Sequence, residues 1–186
     1  MICKPNPIKT LLREEKKPLV HLPVVFHEAG RGFDLDLNAI KIPLADFWTI
    51  AVKYNVVPII PKPKANVTEA WHFDCRGSHQ IVYQYYADGK GTNFKPYTAA
   101  AASAILSFGV NVEAFGSNQK QAAIQSGLIR LGRTIGNIDG QIGKNTHKPL
   151  DELGIVFDLN NIDGMLIQVE NLVQQKFPSE FASPMV

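Results

Sequence analysis

Residues 26–37 read FHEAGRGFDLDL, and residues 69–73 return with EAWHF. In the first stretch Gly30-Arg31-Gly32 interrupts the chain. The alternation beyond it predicts a strand with Phe33, Leu35 and Leu37 on one face and Asp34 and Asp36 on the other. Val24–Phe26 predicts a short strand before the break. His27 and Asp34 therefore flank a glycine turn, and His72 arrives from a later segment. Two histidines and a carboxylate are the donor types of a catalytic zinc site, which takes three protein ligands and leaves a fourth position for water. The glycines suit a segment that must turn sharply and let backbone come close to the ion. Glu69, three residues before His72, is placed to take a proton from a water that the metal has acidified. Taken singly, each residue has a plainer reading. A histidine beside apolar residues packs in a core, Asp34 is a solvated carboxylate, and Trp71 is core.

The chain around these stretches has 186 residues, enough for one domain or two small ones. Hydrophobic residues make up 45% and charged residues 19%, so a buried core is expected and wholesale disorder is not. With 19 basic and 17 acidic side chains and a net charge of +2, no concentrated basic face is legible, and nucleic acid is not an expected partner. Cys3 and Cys75 have no close-spaced partner, which excludes a disulfide framework and a zinc ribbon. They read as free thiols of a protein made in a reducing compartment. No apolar run approaches a membrane span. The opening MICKPNPIKTLLREEKKPLV lacks the apolar core of a signal peptide, so the chain is expected to be made in the cytoplasm and to need another route out.

Pro43 is expected to open a helix with Leu44, Phe47, Trp48, Ala51 and Val52 along one stripe. Val56–Ile60 reads as a strand, PKPKANVT at 61–68 as a loop, and AWHF as a last short strand. After Gly77 the pattern turns helical: HQIVYQYY, then the alanine-rich TAAAASAILSF, with the turn-rich ADGKGTNFKP between. NVEAFGSN, at 111–118, reads as a linker. Beyond it Gln121–Leu131 is amphipathic with Gly132 as its C-cap, Thr146 is expected to cap a helix that ends at Gly154, and Leu166, Val169, Leu172 and Val173 mark a third. NIDG occurs at Asn137 and again at Asn161, too short to be a repeat. The expected fold class is α+β, with a short antiparallel sheet followed by a three-helix module.

The two opening stretches resemble the signature of the D-alanyl-D-alanine zinc peptidases, which include carboxypeptidases, dipeptidases and phage L-alanyl-D-glutamate endopeptidases. That signature is S-x-H-x-x-G-x-A-x-D followed by E-x-W-H. His27, Gly30, Gly32 and Asp34 occupy the first part, with Gly32 in place of alanine and Val25 in place of serine; Glu69, Trp71 and His72 fill the second. The resemblance implies that His27, Asp34 and His72 hold Zn2+ and that Glu69 is the catalytic base. Family members carry a longer N-terminal part with an arginine that holds the substrate or its developing oxyanion. Here 26 residues precede His27 and Arg13 is the sole arginine among them. Arg31 is open to two readings, a substrate-facing charge or a solvated turn residue.

Residues 122–155, AAIQSGLIRLGRTIGNIDGQIGKNTHKPLDELGI, resemble the peptidoglycan-binding domain-1 family, whose pattern is Q-x-x-L-x-x-L-G, then D-G-x-x-G-x-x-T, then a helix with A-L. Gln125, Leu128, Leu131 and Gly132 meet the first part, and Asp139, Gly140, Gly143 and Thr146 the second. Pro149 stands where the family has alanine, and it is expected in the first helical turn. Together the two resemblances imply a zinc-dependent peptidoglycan peptidase of endolysin type. Its small peptidase domain spans 1–112, and a wall-binding module at 113–186 targets it to peptidoglycan. It is expected to act as a monomer on an amide bond of the stem peptides, reaching the wall by phage-type release. The alternative is a non-catalytic peptidoglycan-binding protein whose peptidase-like domain is degenerate.

Overall fold

A computed structural model of the chain describes residues 19–20, 26–60, 64 and 69–181. Val24 and Val25, the loop at 61–68 apart from Lys64, Arg13 and Cys3 lie outside them. Among the described residues the fold is mixed α+β, with six α-helices and a three-stranded antiparallel sheet. In that sheet β4 (His72–Cys75) lies between β2 (Gly32–Asp34) and β3 (Val56–Pro58). Helix α1 (Leu44–Ala51) starts after Pro43, whose φ of −54° suits the entry to a helix. Its spacing brings Trp48 and Ala51 against Val56, Phe73 and Cys75, with Leu44, Phe47 and Leu35 partly covering them. Because strand side chains alternate, Phe73 and Cys75 face this small core and His72 and Asp74 face the other way.

The helical body comprises α2 (His79–Ala87), α3 (Pro96–Ser107), α4 (Gln119–Arg130), α5 (Lys144–Glu152) and α6 (Ile162–Lys176). Its core runs from Phe26 and Ala29 through Ile105, Leu128 and Leu150 to Val173, and so draws on residues from both sides of position 112. Alanines 99–102 and Ala104 are all buried, and α3 packs closely on α2. Gly127 serves a similar end, since a Cβ there would come within 2.4 Å of Val169 Cγ1 on α6. No helix among the described residues is long and apolar enough to cross a membrane.

Several local expectations need correction. Phe26 lies in a 3-10 turn, Phe26–Ala29, and not in a strand. NVEAFGSN is not a linker: Asn111–Val112 forms β5, which pairs in parallel with β1 (Leu19–Val20), and Val112 and Phe115 are buried. The Gln119 side chain bonds both Val112 N–H and Val112 O, which fixes the segment. Polar composition suggested a connector, but two apolar anchors in it decide the matter. Thr146 caps nothing. Helix α5 begins after Gly143, without a side-chain cap, and Thr146 sits inside it, buried. Pro149 is therefore the sixth helical residue, beyond the first turn. Gly132, in contrast, ends α4 as expected. At φ +91° it donates to Ile129 O while Arg133 N–H donates to Leu128 O, the paired bonds of a Schellman motif. The two NIDG copies differ in conformation. Asn161 caps α6 through Gly164 N–H, whereas Gly140 is a turn residue at φ +73°.

Candidate metal centre

His27 is carried on the 3-10 turn that Phe26 and Ala29 anchor in the large core. Gly30 at φ +63° donates to His27 O, and Arg31 N–H donates to Phe26 O, closing the turn. Gly32 permits the fold-back, because a Cβ there would lie 2.8 Å from His27 N. Asp34 ends β2 directly opposite His72 on β4, so antiparallel pairing puts both side chains on one face. The register thus brings together residues that the sequence separates by dozens of positions.

The three donors form a triangle. His27 Nε2 to His72 Nδ1, His27 Nε2 to Asp34 Oδ1 and His72 Nδ1 to Asp34 Oδ1 are each 3.2 Å. An ion bound tetrahedrally at roughly 2.0–2.1 Å separates its ligand atoms by about 3.3–3.4 Å. The triangle has nearly that size, and the chemistry of the donor set fits zinc. Ordinary hydrogen bonding explains it less well, since three atoms at equal mutual distances cannot all be linked by linear bonds. His72 is buried, with 3% of its side chain exposed, while His27 and Asp34 are 39% and 55% exposed. One side of the triangle is open to solvent.

Behind His72 stands a residue that the sequence reading missed. His72 Nε2 is 2.9 Å from Asp74 Oδ1, and Asp74 is fully buried. Arg76 in turn holds Asp74 Oδ2 through Nε and Nη2, bonds Gln80, and lies 4.2 Å over the Tyr83 ring of α2. The available signal was the two-residue step from His72 to Asp74, which in a strand places both on one face. A carboxylate on the far ring nitrogen selects the tautomer and orients the ring for a metal. Burial pushes His72 towards its neutral form, but the Asp74 hydrogen bond and the charges of Asp74, Asp34 and Glu69 outweigh it and raise its pKa above the ordinary value.

Glu69 sits in the turn before β4 at φ +69°, a left-handed conformation that is strained for a residue with a side chain. Its carbonyl accepts from His72 N–H at 3.2 Å, and its charge is felt at His72. Glu69 does not belong to the ligand triangle. Trp71, expected in the core, is 36% exposed beside His72, and its backbone oxygen accepts from Leu35 N–H. Arg31, which could have been a solvated turn residue, is buried and donates to Cys75 O. Cys75 is disulfide-bonded, correcting the free-thiol expectation. Comparison with protein-family models, curated proteins and solved structures gives no match for this chain.

Proposed function

We propose that the chain is a zinc-dependent peptidase that cleaves an amide bond in peptidoglycan stem peptides, with the segment from residue 113 onward serving to hold the wall polymer. The observation that carries this reading is the 3.2 Å triangle of His27, Asp34 and His72 with Asp74 behind it. The resemblance of the motifs at 26–37 and 69–73 supplies the substrate class, and that of residues 122–155 supplies the wall. A disulfide at Cys75 suits work outside a reducing compartment.

His27 Nε2, Asp34 Oδ1 and His72 Nδ1 would hold the zinc. When bound, it acidifies a water and polarises the substrate carbonyl. Asp74 accepts from His72 Nε2–H and so keeps the Nδ1 lone pair on the ligand side. Glu69 takes the proton from the attacking water and returns it to the amide nitrogen as the C–N bond breaks, leaving a carboxylate and an amine. The exposure of His27 and Asp34 relative to His72 leaves their side for the substrate.

The test is direct. The purified chain should hold about one zinc per molecule, and His72→Ala should lose most of it. Mass spectrometry of digested peptidoglycan should show stem-peptide fragments that disappear with a chelator, and the fragments identify the bond cut. Unchanged zinc in the variant removes the ligand set. Zinc without cleavage leaves a wall-binding scaffold.

A further inference from the structure

Where the sheet lobe meets the helical body, a cavity of about 410 Å³ lies between Lys53 and Asn55, just before β3, and the C-terminal turn Pro178–Glu180. Arg31 and Ser78 line its inner side. Arg31 is 6% exposed, and Arg130, at the end of α4 next to Ser78, is 4% exposed. Both arginines lean on one carboxylate. Glu180 Oε2 accepts from Arg130 Nη2 at 2.7 Å and from the Ser78 hydroxyl at 2.9 Å, and Glu180 Oε1 accepts from Ser78 N–H. Arg130 Nε completes the ring by donating to Ser78 Oγ at 2.7 Å. Space for the carboxylate exists only because residue 77 is glycine, since a Cβ there would lie 2.4 Å from Glu180 Oε1.

The arrangement suits a carboxylate, yet Glu180 does not satisfy it. Arg31 Nη2 stands 3.8 Å from Glu180 Oε2, beyond hydrogen-bond reach, and Arg31 Nε is buried with no hydrogen-bond partner. Two buried guanidiniums share the Glu180 carboxylate, Lys53 lines the same cavity, and the one further carboxylate felt there, Glu170, acts on Arg130 through its charge alone. Burial pulls the Arg130 guanidinium down to about 10; Glu180 opposes this and the Arg31 charge adds to it. An unpaired buried guanidinium donor is costly, and an added oxyanion relieves that cost by bidentate pairing.

We propose that Arg31, Arg130 and Ser78 form an oxyanion-binding site for a carboxylate-bearing ligand entering this cavity, and that Glu180 is the chain's own occupant, which such a ligand displaces. Being tethered, Glu180 competes at an effective concentration on the order of millimolar. A ligand prevails by engaging what Glu180 leaves unbound, namely Arg31 Nε and Lys53. The site needs no metal, so its test is independent of the proposed peptidase activity.

The experiment uses the full chain and Glu180→Gln, which keeps the side chain's shape and removes its charge. Each is titrated with acetate and, separately, with inorganic phosphate at constant ionic strength. Melting temperature and the Arg31 Nε–H nuclear magnetic resonance signal are followed. Glu180→Gln should bind saturably, about tenfold or more tighter than the unmodified chain, with the Arg31 signal moving. Tighter acetate binding supports the carboxylate site; tighter phosphate binding overturns the carboxylate assignment in favour of a phosphorylated ligand. A folded Glu180→Gln that binds neither anion overturns the proposal and makes Glu180 a structural bridge. If that variant does not fold, the unmodified chain decides: a saturable shift of Arg31 Nε–H supports the site, and its absence overturns it.

Discussion

In the sheet lobe, His27, Asp34 and His72 converge at 3.2 Å in a triangle whose three edges cannot all be linear hydrogen bonds, whereas in the helical body Gln125 has a partner for each group. The Gln125 amide nitrogen donates to Asp139 Oδ1 and Gln141 O, and its oxygen accepts from Asp139 N–H and Gly140 N–H. Gly140 must be glycine there, because a Cβ would lie 2.7 Å from Asn118 Cβ. Both clusters correspond to motifs that prompted a family resemblance. The difference between them shows what each motif argues. The Gln125 motif is explained within the fold, as the clamp that holds the Asp139-Gly140 turn against α4. The histidine motif is one that a cation could complete.

The contrast breaks most visibly at Glu69. Glu69→Gln should lower cleavage of stem peptides by about two orders of magnitude or more while zinc content stays unchanged. Loss of zinc along with activity would make Glu69 part of the ligand set. Gln125→Ala tests the other side. Leaving the half-buried Asp139 N–H and the buried Gly140 N–H unpaired should cost about 1–3 kcal/mol in denaturant unfolding, with zinc stoichiometry intact. Little change would mean that the turn does not depend on its clamp.

Asp74→Asn sharpens the same comparison, because it alters the support and leaves the triangle in place. Zinc affinity, measured by competition with a chromophoric chelator, should weaken about 10–100-fold. Affinity equal to that of the unmodified chain would take Asp74 out of the metal centre.

The smallest expected effect is in pH. His79 is wholly buried, with Nδ1 on Ser103 Oγ, and burial, then Arg130 and Arg31, hold its pKa well below the ordinary value. The folded state therefore resists protonating it. Its contribution is full above about pH 6.5 and is lost as pH falls below that value towards the depressed folded one. His72, with a raised pKa, acts with the opposite sign in the metal-free chain, contributing below about pH 6.5 and losing that contribution as pH rises through the raised folded value. Thermal melts of the chelated protein should separate the two when His79→Gln is compared with the unmodified chain. Zinc affinity should rise across the window in which His72 deprotonates, since proton and metal compete for it. An affinity flat across that window would exclude His72 as a ligand.

Local rules were legible wherever a few neighbouring residues decide the outcome. The stripe of α1 from Leu44 to Ala51, the helices on either side of ADGKGTNFKP and the left-handed end of α4 at Gly132 follow from periodicity, from proline's fixed φ and from glycine's freedom. Val52, expected to extend that stripe, lies instead in the next 3-10 turn and is exposed. The residue types of the candidate centre could also be picked out, and its glycines marked a sharp turn; that Gly32 is needed against His27 N is seen only in the fold. Other features depend on atoms brought from far along the chain. Antiparallel register sets Asp34 opposite His72, burial on the far face makes Asp74 the support of His72, and the apolar anchors Val112 and Phe115 turn an apparent linker into part of the core. Arg31 shows the limit most plainly. Between two glycines it reads as a turn residue, but it is buried against Cys75 O and near Glu180, a partner in the last described turn. Periodicity, capping and φ preferences act over a few residues; which side chains share a dry space, and at what distance, is set when sheet and helices pack.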